Sequence, residues 1–173
     1  MILTIGHSTR PFDELLSLLQ DHRVMLLADV RTVPRSRHNP QYNSDTLAKG
    51  LAAAGLAYRH MPGLGGLRKA RKESINQGWR NDSFRGYADY MQTPEFEAAL
   101  EELLALAERG CVCIMCAEAV PWRCHRSLIS DALCVRGVEV RHIMGPDKTP
   151  LHTLTSFAEV RGTHLTYPFS LEG

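Results

Sequence analysis

The stretch Cys111-Val-Cys-Ile-Met-Cys116-Ala-Glu118-Ala-Val-Pro121-Trp-Arg123-Cys124-His125-Arg126 begins as an apolar strand and ends as the first turn of a helix. Between the two lie a carboxylate, a proline and a tryptophan. Cys116, Glu118, Cys124, His125 and Arg126 therefore crowd one strand-to-helix junction. In an open parallel sheet such junctions line the crevice at the carboxyl ends of the strands, where ligands bind. The fold follows from whether the rest of the chain repeats this strand-then-helix rhythm.

It does. Ile2 to Ile5 form a short apolar strand that breaks at Gly6-His7-Ser8-Thr9. Ser8 or Thr9 can cap a following helix, and Pro11 suits its first turn. Phe12, Leu15, Leu16 and Leu19 recur at helical spacing up to about Gln20. Val24 to Val30 are nearly all apolar, as in a strand buried on both faces, and Asp29 and Arg31 stand at its end. Thr32 to Asn43 has no period and contains Pro34 and Pro40, which predicts a loop. A helix follows over about 45–54 with Gly55 closing it, then a strand from Leu56 to Met61.

Downstream of an irregular segment at about 62–82, Ser83 can cap a short helix bearing Phe84, Tyr87, Ala88 and Met91. Thr93-Pro94 starts the clearest helix, with Phe96, Leu100, Leu103, Leu104 and Ala107 on one stripe and Gly110 ending it. After the opening stretch, a helix is expected from about Cys124 to Arg136 and a strand from Val138 to Met144. Two β-prone runs, Phe157–Val160 and Thr163–Tyr167, flank Arg161-Gly162 and predict a terminal hairpin. Alternating strands and helices predict an α/β fold with three layers. A mostly parallel sheet carries helices on both faces, Rossmann-like in the broad sense. The strand order is not readable from the sequence.

At 173 residues the chain is expected to be a single domain, 1–173, long enough to bury a full core. A formal charge of +1 gives no overall pull toward nucleic acid or membrane. The opening strand reaches Gly6 and His7 too soon for a signal peptide, and no apolar run approaches membrane-spanning length. Five cysteines, three of them in one strand, do not make a disulfide framework, so a reducing cytoplasmic setting is expected. The charge is uneven, however. From Arg59 to Tyr90 seven basic residues face three acids, a local excess of +4.

Cys116 ends a strand just ahead of a helix N-terminus, with Arg123 and Arg126 nearby, a setting that favours a thiolate. Cys111 and Cys113 read as small core hydrophobes. Loops of cysteine phosphatases and sulfurtransferases place an arginine six positions after the cysteine. Here that position is Trp122, and Glu118 would repel the oxyanion. Cys116, Cys124 and His125 are zinc-ligand types, but a zinc-deaminase signature needs a further cysteine where Ser127 stands. Unless His7 or Asp29 completes the set, the ligand count falls short. Without a metal, Glu118 or His125 can serve as acid or base beside a Cys116 nucleophile. Arg31 and Arg126 would then clamp an anion, with His7, Ser8, Asp29 and Cys124 binding or orienting. The competing reading is a structural ion-pair network. Nothing in the sequence requires a cofactor.

Arg68, Lys69, Arg71 and Lys72 form a basic cluster that is ordinarily a solvated face. With Trp79 and Arg80 it is the candidate nucleic-acid contact, through phosphates and stacking. A small anionic, phosphate- or nucleotide-like substrate is the first expected partner, nucleic acid the second, and a membrane is not expected.

Several landmarks occur in order along the chain. They are Gly6-His7-Ser8, Asp29-Val30-Arg31 with Pro34 and Ser36, and Tyr58 running to Leu64-Gly65-Gly66. Phe84, Tyr87-Ala88 and Met91 follow, then Cys116-Ala-Glu118 and Cys124-His125-Arg126. This pattern resembles the domain of unknown function 488 family of small bacterial and archaeal proteins, over nearly the whole chain. The Cys-Ala-Glu and Cys-His-Arg pair is its most specific part. The resemblance implies one cytosolic α/β domain with a shared site and supplies no substrate.

Overall fold

The computed structural model describes residues 1–171. Five parallel strands make the central sheet: β1 (Ile2–Gly6), β2 (Leu26–Asp29), β3 (Ala57–His60), β4 (Val112–Cys116) and β5 (Val140–Ile143), in the order β3-β2-β4-β1-β5. The helices are α1 (Phe12–Asp21), α2 (Ser44–Ala53), α3 (Asp82–Tyr90), α4 (Pro94–Ala107) and α5 (Arg126–Cys134). A two-stranded antiparallel hairpin, β6 (Glu159–Arg161) with β7 (His164–Thr166), turns at Gly162 near the C-terminus. The α/β architecture and the hairpin are those expected.

Strand parity sorts the core. Successive side chains of a strand point to opposite faces. Leu3, Ile5, Leu27, Cys113, Met115 and Ile143 meet Leu15, Leu18 and Leu19 of α1 and Leu47 and Leu51 of α2. Ile2, Leu26, Ala28, Val112, Ile114, Cys116 and Val140 meet α3, α4 and α5 through Tyr87, Phe96, Leu100, Leu103, Leu128 and Ile129. Parity therefore places Cys116 on the α5 face and Cys113 in the opposite core. Thr4 and His142, register partners across β1 and β5, share the α5 face by the same rule.

The topology opens the sheet where it matters. β1 and β2 hand the chain to α1 and α2 on one face, while β3 and β4 hand it to α3, α4 and α5 on the other. In the order β3-β2-β4-β1, neighbouring strands thus part to opposite faces at their carboxyl ends. This is the divergence that makes a ligand crevice in open α/β sheets.

Local chemistry explains the element ends. Thr93 Oγ1 accepts the Phe96 N–H, Pro94 fills the first turn of α4, and Glu95 and Glu97 suit its positive end. Three expected starts differ. Asn81, not Ser83, caps α3, its side chain accepting from the Ser83 and Phe84 N–H groups. Neither Ser8 nor Thr9 caps α1. Ser8 sits at φ 49°, its N–H spent on the Ala117 carbonyl. Helix α5 begins at Arg126, because Pro121–Arg123 first makes a 3₁₀ turn, leaving Cys124 and His125 as the approach to the helix.

Candidate functional site

The site forms at the carboxyl ends of β4, β1 and β2. Register sets Gly6 beside Cys116. The loop after β4 then folds back over β1 so closely that a Cβ on Gly6 would lie 1.8 Å from the Glu118 carbonyl oxygen. Only glycine admits that approach. Arg126 fastens the loop from the other side, its Nη2 donating to the carbonyls of Glu118 at 2.8 Å and Ala119 at 3.3 Å. Cys116 is thereby brought against the start of α5.

There the two sulfurs meet. Cys124 Sγ lies 2.7 Å from Cys116 Sγ, 3.4 Å from His125 Nδ1 and 3.5 Å from the Arg126 amide nitrogen, whose N–H it accepts. His125 Nε2 stands 2.7 Å from the Val30 carbonyl. A carbonyl only accepts, so Nε2 carries a hydrogen and Nδ1 is the nitrogen presented to sulfur. A Cβ on Gly66 would come within 2.7 Å of that Nδ1, so glycine is what seats the ring.

The two thiols are shifted in opposite directions. The hydrogen bond with Cys116 holds the Cys124 thiol well below the ordinary thiol range against its burial, and His125 and Arg126 add to the effect. Burial, then the neighbouring Cys124, pushes Cys116 well up. Cys124 is the more acidic thiol of the pair, with the Arg126 amide, His125 and the Arg126 charge beside it.

Arg31 forms the wall contributed by β2. Its Nε and Nη2 bind Asp29 Oδ1 and Oδ2 at 2.9 and 2.7 Å, and Nη2 also donates to the Tyr42 carbonyl. Asp29 is wholly buried and takes a further hydrogen bond from Tyr58 at 2.6 Å, so it orients Arg31 rather than facing the crevice. His7 is buried behind Arg31. Its Nδ1–H donates to Ser8 O at 2.8 Å, its Nε2 faces Arg31 Nη1 at 3.4 Å, and its ring stacks on Tyr42. Burial lowers the His7 pKa, which suits this neutral, accepting Nε2. Glu118 is exposed at the rim, its Oε1 accepting the Val120 N–H at 3.2 Å.

Together these residues enclose a crevice of ≈ 380 Å³ lined by Cys116, Cys124, His125, Glu118, Arg31, Arg35 and Arg123, with Val33, Leu67 and Phe84 as apolar walls. Arg35 and Arg123 are exposed and make no ion pair among the described residues. Of the sequence candidates, Cys116, Glu118, Cys124, His125 and Arg31 share this crevice. His7, Ser8, Asp29 and Arg126 do not line it. Among the described residues, no group of three or more His, Cys, Asp and Glu side chains is placed to hold a metal ion.

Arg126 is fully buried and, among the described residues, has no carboxylate within 4 Å. Its Nη1 donates to Thr4 Oγ1 at 3.2 Å. Thr4 Oγ1 lies 2.6 Å from His142 Nδ1, His142 Nε2 2.8 Å from His152 Nδ1, and His152 Nε2 2.7 Å from Asp131 Oδ1. One set of hydrogens satisfies every link, each group donating toward Asp131, with both histidines neutral. Burial and its charged neighbours push His142 down to about 3. Asp131 also accepts from Thr155 and from the Tyr167 hydroxyl. A buried cation and a buried anion are thus joined through three side chains. The pattern in sequence that marks this network is a set of polar residues on inward faces: Thr4 and His142 on buried strands, Asp131 on the apolar side of α5.

A second cleft of ≈ 430 Å³ lies against this network, lined by His142, His152, Trp122 and Lys148 among others. Both nitrogens of both histidines are engaged within the chain, so neither presents a lone pair there.

The basic segment is held from within. Buried Asp89 accepts from the Arg71 amide, Ser74 Oγ and Asn76 Nδ2. Arg68 lies 3.7 Å over the Tyr90 ring and donates to the Gly65 and Pro62 carbonyls. Trp79 packs edge-on against Phe84 and Phe157 and tilted against Tyr167. Lys69, Arg71, Lys72 and Arg80 remain exposed.

Comparison with curated proteins and with solved structures found no match. One family model, described as domain of unknown function DUF488, matches residues 11–133, which include Asp29, Arg31, Cys116, Glu118 and Cys124 to Arg126. That span is most of the chain, and this protein belongs to the DUF488 family.

Proposed function

We propose that the protein is a thiol-dependent enzyme acting on a small anionic substrate in the crevice at the ends of β4 and β2. The observation that carries this reading is the Cys124 sulfur. It is supported by Cys116 at 2.7 Å, His125 Nδ1 at 3.4 Å and the first amide of α5, inside a crevice with Arg31, Arg35 and Arg123. Cys124 takes the role of nucleophile. His125 Nδ1 holds the proton that leaves Cys124 and returns it to the leaving group, the thiol–imidazole logic of covalent catalysis. Arg35 and Arg123 receive the anionic part of the substrate, and Arg31 is fixed by Asp29 and His7 to do the same.

Relative to the roles expected from sequence, this moves the nucleophile from Cys116 to Cys124 and leaves Cys116 as the supporting thiol. It also places Arg126 beneath the site, where its buried charge favours the thiolate without touching substrate. The exposed Glu118 carboxylate sits at the rim and closes the 118–120 turn. The protein is read as acting in the cytoplasm, in keeping with free thiols.

The test is alkylation by iodoacetamide at pH 6, where a thiol of ordinary pKa is ionised to well under about 1%. Cys124 is expected to react at least about tenfold faster than glutathione, with Cys124→Ser removing the fast phase and His125→Asn slowing it. A Cys124 that reacts no faster than glutathione contradicts the reading.

A further inference from the structure

Five cysteines are present, and among the described residues one pair of sulfurs meets. Cys111 Sγ donates to the His22 carbonyl and Cys113 Sγ to that of Ile114, each without a second sulfur. Cys116 and Cys124 differ. Their sulfurs are 2.7 Å apart and both line the crevice. A disulfide bond is about 2.05 Å long, so closing the pair needs an approach of about 0.7 Å. Cys116 is the last residue of β4 and Cys124 precedes α5, so the approach is one of two side chains at element ends.

The surroundings are also asymmetric in the way a two-step exchange requires. Cys124 has the amide of α5 and His125 beside it, whereas Cys116 has the Glu118 carbonyl at 3.6 Å. The first sulfur is arranged to attack and the second to wait, protonated, behind it.

We infer that Cys116 is a resolving cysteine, and that the substrates of this crevice are small anionic disulfides reduced by thiol–disulfide exchange. The inference rests on the proposed nucleophilic role of Cys124. In the first step the Cys124 thiolate attacks one sulfur of RS–SR. A Cys124–SR bond forms, the substrate S–S bond breaks, and the departing thiolate takes the proton held on His125 Nδ1. In the second step Cys116 attacks Cys124 Sγ. The Cys116–Cys124 bond forms, the mixed disulfide breaks, and the proton of Cys116 leaves with the second RSH. The protein dithiol is oxidised by two electrons and the substrate disulfide is reduced to two thiols. An external dithiol restores the reduced pair. Arg35 and Arg123 explain the preference for anionic R groups, since both stand over the crevice without an acidic partner among the described residues.

The experiment uses the full chain, reduced, desalted and exposed to glutathione disulfide at pH 7, with intact-mass and tryptic analysis. The expected product is two hydrogens lighter, with no glutathione attached. Its new crosslink joins the tryptic peptide ending at Arg123, through Cys116, to Cys124-His-Arg126. Cys116→Ser is expected to stop at a glutathione adduct on Cys124, and Cys124→Ser to react at least about tenfold more slowly. Cystamine, a cationic disulfide, is expected to react at least about tenfold more slowly than glutathione disulfide relative to a small-thiol reference. Wild-type protein that stops at the mixed disulfide overturns the resolving role of Cys116 and leaves the nucleophile intact. A crosslink through Cys111 or Cys113 overturns the pairing. Equal rates for the two disulfides overturn the anionic preference. If glutathione disulfide does nothing while iodoacetamide still alkylates Cys124 rapidly, the substrate class is wrong. If neither reagent touches Cys124, the nucleophile reading falls with it.

Discussion

Arg126 carries a positive charge into the protein interior without an adjacent acid, and this single residue ties the site to the core. Burying an unpaired charge costs several kcal/mol, so its partner has to be found elsewhere. It is Asp131, reached through Thr4, His142 and His152. Arg126→Met is expected to lower unfolding stability by about 3 kcal/mol, because Asp131 and the carbonyls of Glu118 and Ala119 lose their cation. Arg126→Met combined with Asp131→Asn is expected to cost clearly less than the two single changes together. Strict additivity in urea titrations would show that the two charges do not see each other. Gly6→Ala addresses the same loop sterically. Its Cβ would collide with the Glu118 backbone, so a loss of about 1–3 kcal/mol is expected, together with slower alkylation of Cys124.

Elements explain why the site was legible in sequence and where legibility stopped. Helices α1 and α4 announce themselves because each has one apolar stripe whose period matches the observed span, and α4 adds its Thr93 cap. The strands are visible as short apolar runs for the same reason that their order is not. A strand buried on both faces pairs through its backbone, and Leu26-Leu-Ala or Val112-Cys-Ile names no neighbour. The β4-to-α5 junction was readable because reactive side chains there interrupt apolar sequence. That Cys124 rather than Cys116 takes the helix amide was not, since it depends on the Pro121–Arg123 turn. In the basic segment, composition counts charges and not partners, and Lys69, Arg71, Lys72 and Arg80 stay exposed. Arg68 and Trp79 are spent on Tyr90 and the aromatic cluster. Asp89 is the organiser of that segment. Asp89→Ala is expected to loosen residues 71–76 and speed tryptic cleavage after Arg71 and Lys72 at least about fivefold, with Cys124 reactivity unchanged. Unaltered cleavage would mean the segment holds itself.

Across the whole molecule, two buried histidines contribute to the response to acid. His142 has its folded pKa lowered to about 3 from an ordinary 6.5, and His7 is lowered as well, both by burial first. Between those values the unfolded chain binds the proton that folded His142 refuses. Its contribution is therefore fully present above about pH 6.5 and is lost as pH falls toward 3. Thermal melts from pH 7 to pH 4 are expected to show a falling Tm, with a shallower fall in His142→Gln. An equal slope in the variant would remove His142 as the cause. Among the described residues no helix is long and apolar enough to cross a membrane. The crevice at the ends of β4 and β2 is lined by the paired cysteines and by Arg31, Arg35 and Arg123. That convergence is tested most directly by charge discrimination at Cys124: the rate ratio of iodoacetate to iodoacetamide at pH 6, compared with the same ratio for glutathione. A ratio at least about fivefold above that of glutathione, falling toward it in Arg35→Ala/Arg123→Ala, is the expected result. A ratio equal to or below that of glutathione, unchanged by those substitutions, contradicts an anion-binding thiolate site.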